Sequence, residues 1–169
     1  MGYLKLLFLL CVLSIQVSCT TTSEKMSKGE NSLVSTTKSI EINAPIAVVW
    51  KIHADINSWS EWHPDMARSE LESSLTVGEV FEWKSSGVSI KSKLTTVEEE
   101  RKLSWSGEGF GATANHIWEF ERISEDRTRV TTHEDMDGWF VWMFTGMMNS
   151  KVNESLEKWL SALKKKAES

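Results

Sequence analysis

The chain has 169 residues, a formal net charge of -5 and two cysteines, Cys11 and Cys19. An acidic balance without a broad basic face excludes sequence-independent phosphate contact, so no nucleic-acid partner is expected. Beyond Cys19 there is no thiol to form a disulfide, act as a nucleophile or bind zinc.

Lys5 precedes an apolar run, Leu6 to Leu13, far shorter than the ~20 residues that span a bilayer. This predicts a signal peptide over residues 1–19 and export of the rest. Ile15-Gln16-Val17-Ser18-Cys19 resembles the lipobox of bacterial lipoproteins, which implies lipidation at Cys19 and attachment to a membrane of the bacterial envelope. Gln16 stands where that family has an aliphatic residue. Plain cleavage near Ser18, giving a periplasmic or secreted protein, and an uncleaved anchor are the alternatives. Residues 20–35, rich in Ser, Thr and Lys without apolar periodicity, read as a flexible tether, and residues 36–166 as one folded domain.

From Val34 to Asn43 apolar and polar residues alternate, with Ile40 and Ile42 on one face, as in a half-buried strand. Pro45 ends it and suits the first turn of a helix over Ile46 to Ala54, on which Val49, Ile52 and His53 share a face. A short helix or turn follows, with Trp59 and Trp62 three residues apart and pointing the same way.

After Pro64 the pattern is a strand meander. Phe81 and Trp83 alternate with polar residues, as do Val88, Ile90 and Leu94 after a Ser86-Gly87 turn. Leu103 and Trp105 follow the charged bend Glu98 to Arg101. Next come Ala114, His116, Trp118 and Phe120 on one face. The last strand puts Val130, Thr132, Glu134 and Met136 inward and Thr131, His133 and Asp135 on a wet outer face. Asp137-Gly138 closes the run. From Phe140 to Lys166 an apolar stripe through Met147, Met148, Val152, Leu156, Trp159 and Leu163 predicts one long helix, with Lys164 to Lys166 at its negative pole.

Ile40-Glu41-Ile42-Asn43-Ala44-Pro45, Trp59-Ser60-Glu61-Trp62-His63-Pro64, Val77-Gly78-Glu79-Val80-Phe81-Glu82-Trp83 and Leu103-Ser104-Trp105-Ser106-Gly107 resemble the START-like helix-grip superfamily. The branch they are most similar to is that of polyketide cyclases, dehydrases and lipid transport. The resemblance covers residues 37 to 164. It implies an α+β fold in which a curved antiparallel sheet wraps around a long C-terminal helix, with two short helices after the first strand. It also implies a cavity between sheet and helix. Strand parity then gives a lining of Phe81, Trp83, Ile90, Leu94, Trp105, His116, Trp118, Phe120, Thr132, Glu134 and Met136, facing Phe144, Met147, Met148 and Val152. Such a wall suits a small apolar or aromatic ligand. The chain's nine tryptophans, seven methionines and six phenylalanines give the opposite expectation equal footing, that bulky side chains fill the gap outright.

The polar feature of this face is His116 with Glu134. A hairpin closed by Ser124-Glu125-Asp126 sets the two directly opposite each other, and likewise Trp118 and Thr132, and Phe120 and Val130. Either His116 is an acid or base oriented by the carboxylate, or the two form a buried pair that satisfies itself. His53 and His63 lack a third ligand, and the acidic run Glu134 to Asp137 points to both faces of a strand, so no metal and no cofactor are expected. Gly107-x-Gly-x-Gly111 reads as a flexible bend near the pocket mouth, where Phe110 would gate the opening.

Trp139 to Phe144 is apolar at every position, so it is either covered by the first helices or meets something outside the domain. With a lipid anchor at Cys19, Trp139 and Trp142 would touch membrane or an emerging lipid ligand. Three functions follow as expectations. The first is non-enzymatic binding or carriage of a small hydrophobic molecule at the cell envelope. The second is a cyclase- or dehydratase-like enzyme using His116 and Glu134. The third, a co-chaperone of the Hsp90-activator type, is disfavoured because export separates it from that partner.

Overall fold

The computed structural model describes residues 32–169, so the expected signal peptide, Cys19 and the expected tether up to residue 31 lie outside the described residues. Strand β1 (Val34–Ile42) starts two residues inside the span expected as tether. Pro45 then sits at the mouth of helix α1 (Ile46–Ala54), which buries Ile46, Val49, Trp50 and His53. A 3-10 turn (Ile56–Ser58) leads into the single-turn helix α2 (Trp59–Trp62). Asn57 fastens this corner, accepting from the Leu71 amide at 2.7 Å and donating to the Leu71 carbonyl at 3.1 Å.

Six strands follow: β2 (Met66–Glu70), β3 (Val80–Ser85), β4 (Val88–Glu98), β5 (Lys102–Gly109), β6 (Ala112–Ser124) and β7 (Arg127–Asp137). Together with β1 they form one antiparallel sheet in the order β1-β7-β6-β5-β4-β3-β2. Two hairpins close on pairs of residues with positive φ, Ser86-Gly87 and Phe110-Gly111, the backbone that matches the twist of flanking strands. The sheet curls into a half-barrel around the C-terminal helix, which is the helix-grip fold.

Three expectations change. The C-terminal helix is not continuous: α3 (Trp139–Met143) ends at Phe144 (φ -125°, ψ 33°), and α4 (Thr145–Ala167) starts afresh. The Thr145 hydroxyl donates to the carbonyls of Val141 and Trp142 at 2.9 and 3.1 Å, tying off the first helix. A side-chain donor competing for main-chain carbonyls and a glycine next to it, Gly146, are both unfavourable inside a helix. The glycine-rich bend is also shorter than expected. Gly107 and Gly109 belong to β5, where a Cβ on Gly107 would lie 2.8 Å from Ser92 Oγ, and only Phe110-Gly111 turns.

Finally, His133 and Asp135 are buried although they face outward. β7 is an interior strand, and its neighbours Thr37, Ile117, Ser35 and Asn115 wall the pair in. Thr37 Oγ1 is hydrogen-bonded to His133 Nδ1 at 2.8 Å, and Asp135 Oδ2 lies 3.0 Å from His133 Nε2.

Candidate functional site

The space between sheet and α4 divides into two halves of different character. In the half under α1 and α2 the aromatic side chains meet in the middle. Trp159, from α4, has its ring centroid 5.0 Å from Trp59, 5.8 Å from Trp62, 4.3 Å from His63 and 5.6 Å from Trp118. Phe81, Leu94, Trp105, Trp118 and Phe120, all expected to line a pocket, are instead buried members of this cluster. Here the filling alternative describes the molecule: rings from sheet and helices take up the gap at the edge-to-face and tilted spacings aromatic pairs prefer.

His53 is enclosed in the same cluster. Five rings surround it, with centroids 4.3 Å (Trp118), 5.5 Å (Phe120), 5.9 Å (Trp59), 6.1 Å (Trp105) and 6.2 Å (Trp159) away. Neither ring nitrogen has a hydrogen-bond partner among the described residues. Burial lowers its pKa to about 3, so it is a neutral imidazole. His63 is lowered to about 4, first by burial and further by Lys158, with Asp65 acting in the opposite sense. Helical spacing placed His53 on the buried face beside Val49. Its cage comes from residues far along the chain, which spacing alone does not reveal.

In the other half the side chains shrink. Across β4, β5 and β6 the concave face carries Ser92, Gly107 and Ala114 in one row and Ile90, Gly109 and Ala112 in the next. A second, smaller cluster covers it: Val34 from β1, Val141 from α3, and Val152 and Leu156 from α4, with Ala112, Met136 and Met148 packed against it. The inward positions Ile90, Ala112, Ala114, Met136 and Met148 are only half-buried. Enclosure is therefore less complete in this half, the open half, than in the aromatic one. Of the expected lining, this half collects Ile90, Met136 and Met148, with Phe110, Phe144 and Met147 exposed at its rim.

His116 and Glu134 lie at the junction of the halves. The β6–β7 register pairs them directly, along with Trp118 and Thr132, and Phe120 and Val130, as the loop arithmetic predicts. His116 Nδ1 is 3.3 Å from Glu134 Oε2. The imidazole stacks on Trp105 at 5.2 Å with 20° between planes, and meets Trp83 edge-on at 5.9 Å. Trp83 is held by its Nε1 donating to Ser92 Oγ at 2.9 Å. The junction thus offers a carboxylate–imidazole pair on a largely apolar face, the composition of a site that orients a mainly hydrophobic guest by a few polar groups.

Elsewhere, a surface groove of about 640 Å³ lined by Arg68, Glu70, Glu72, Glu79, Glu82 and Lys91 lies beside β2 and β3. Its charged lining does not suit an apolar guest. Among the described residues no cluster of three or more His, Cys, Asp or Glu is placed to hold a metal ion.

The rim is held by glycine. Gly138 (φ 115°) brings the start of α3 against the β5–β6 turn, and a Cβ there would sit 2.4 Å from the Gly111 carbonyl oxygen. A Gly138→Ala protein should lose upwards of about 2 kcal/mol in urea unfolding, because backbone rather than a flexible side chain must move. A loss under about 0.5 kcal/mol, the range of an ordinary surface change, would refute the close packing.

No curated protein matches this chain. Solved structures similar to it include a START superfamily protein of Mycobacterium smegmatis, 14% identical, covering 79% of this chain and 97% of that one, with a TM-score of 0.68. A hypothetical protein of Helicobacter pylori is 17% identical over 82% of this chain and 90% of its own, with a TM-score of 0.72. An aromatase/cyclase of Streptomyces is 15% identical over 79% and 93%, with a TM-score of 0.69. At these identities the likeness is one of fold. The profile described as polyketide cyclase / dehydrase and lipid transport matches residues 34–168, nearly the whole of the domain described above, and the chain belongs to that family.

Proposed function

We propose that the protein binds and carries a small hydrophobic molecule at the bacterial cell envelope, held there by a lipid anchor at Cys19. The guest sits in the open half of the grip, its apolar body against Ile90, Ala112, Ala114, Met136 and Met148 and its polar end toward His116 and Glu134. The observation that carries this reading is the half-exposure of inward-facing positions beside a solid aromatic end. Apolar surface left wet on a concave face is stabilised by a ligand that covers it.

The test is native mass spectrometry of protein purified from its own host, with uptake of a neutral naphthylamine probe as the second readout. A co-purifying lipid or aromatic compound is expected. Ala114→Phe, which places a ring on the concave floor, should abolish both the retained compound and probe uptake. An empty wild-type protein that also refuses the probe would end the proposal. A second reading, a cyclase- or dehydratase-like enzyme, is favoured by one observation, the His116–Glu134 pair at the junction. It requires that the retained compound be turned over and that His116→Ala stop the turnover without releasing the compound.

A further inference from the structure

One end of the domain is apolar on its outer surface. Phe110, Trp139 and Trp142 are 72%, 60% and 71% exposed, and Met143, Phe144 and Met147 are exposed beside them. Phe140 joins Phe110 (centroids 5.1 Å apart) to Phe144 (5.0 Å) and to Trp139 (5.8 Å), and Trp142 and Met143 stand on the same short helix as Trp139. The Trp139 indole lies over the turn, where a Cβ on Gly111 would come within 2.1 Å of Trp139 Nε1. Only Val141 of α3 is buried, so the first helices do not cover this segment. From Gly138 to Ser150, and from Gly109 to Asn115, there is no Asp, Glu, Lys or Arg. Contiguous apolar area of this kind marks a surface that meets something.

The N-terminal chain identifies what it meets. β1 begins next to this end: Val34 pairs with Met136, and the Leu33 amide donates to Asp137 Oδ1 at 3.0 Å, one residue from Gly138. The sequence before it leads back to the apolar run Leu6 to Leu13 and to Cys19. The fourteen residues that follow Cys19 up to Leu33 span at most about 50 Å. With the anchor proposed at Cys19, this end of the domain is the one tethered to the lipid.

We infer that the exposed end, centred on Trp139, Trp142 and Phe110, is a bilayer-docking surface that turns the open half of the grip toward the lipid. The inference rests on the proposed membrane anchor for its orientation, and makes the bilayer the immediate source or destination of the guest. Indole rings suit this position, with an apolar body for the acyl region and an N–H for the headgroup level. A surface without charge docks through apolar burial rather than through anionic headgroups.

The test uses the full chain with phosphatidylcholine vesicles whose acyl chains carry bromine, a contact quencher of tryptophan emission. The other seven tryptophans are buried or half-buried, so docking is read from Trp139 and Trp142. The expected result is quenching that is unchanged by added salt and lost in the Trp139→Ser, Trp142→Ser double variant, while vesicle flotation through the N-terminal segment persists. Absence of quenching in the wild type would overturn the inference, whether or not the chain floats. So would quenching that survives the double substitution, or a sedimentation mass showing the surface covered by a second copy. None of these outcomes depends on whether a guest is retained, so docking and carriage fail separately.

Discussion

Lowering the pH from neutrality to about 4.5 will remove about 3 kcal/mol of stability through His53 alone, as two pH units below its ordinary pKa correspond to about 1.4 kcal/mol each. The unfolded chain takes up a proton at the ordinary histidine value of 6.5, whereas the caged ring resists protonation until about pH 3. Below 6.5 the unfolded state therefore binds the extra proton, and stability falls continuously until the folded pKa is reached. His63, lowered to about 4, acts in the same sense. Urea unfolding midpoints at the two pH values measure the loss. Replacing His53 with Phe keeps a ring of similar bulk and removes two nitrogens that have no partner, so the variant should equal or exceed the wild type at neutral pH. At acid pH its advantage should widen by about 3 kcal/mol. An unchanged pH dependence in His53→Phe would show that the ring is not held neutral in its cage.

The second large effect belongs to Trp159. Its indole touches side chains from α1, α2 and the sheet at once, and it is the part of α4 that closes the aromatic half. Trp159→Ala should cost about 3–5 kcal/mol, because surrounding rings anchored on separate elements cannot all collapse into the hole. The resulting void would be lined mainly by rings, so added indole should bind it and recover part of the lost stability, read as a rise in the urea midpoint. A cost below about 1 kcal/mol would mean that this end of the grip has slack. The same substitution should leave a guest in the open half in place, since Met136 and Met148 pack against the other, smaller cluster. Trp159 thus belongs to the aromatic end of the domain and not to the end proposed to hold the guest.

Local rules in the sequence carry most of this architecture. Pro45 and the Val49-His53 spacing define α1 to the residue, and the β6–β7 hairpin pairs His116 with Glu134 as expected, although Ser124 belongs to β6 and a bulge between Arg122 and Ser124 takes up the residue expected in the loop. These features depend on neighbours within a few residues or on one hairpin. The break at Phe144 was signalled as well, by Thr145-Gly146 inside the apolar stripe, but the stripe's period continues across it and hides the interruption. Strand parity assigned Trp105 and Ile90 to the same face without distinguishing their fates, because parity gives direction and not depth. Depth is decided by what arrives from across the gap: Trp159 and Trp59 in one case, nothing comparable in the other. The burial of His133 and Asp135 was likewise hidden, since it comes from side chains that β1 and β6 bring alongside them.

The pairing of β1 with β7 has a kinetic meaning. Every other neighbouring pair in the sheet is consecutive in sequence, whereas Val34 meets Met136 and Ile42 meets Thr128. Joining ends about a hundred residues apart carries the largest loop-closure entropy in the molecule, so this step should limit the folding rate. During synthesis β1 is the first strand to emerge and the last to find its partner. Until β7 arrives it is an unsatisfied edge with an apolar face, the state in which such strands are most prone to pair with the wrong chain.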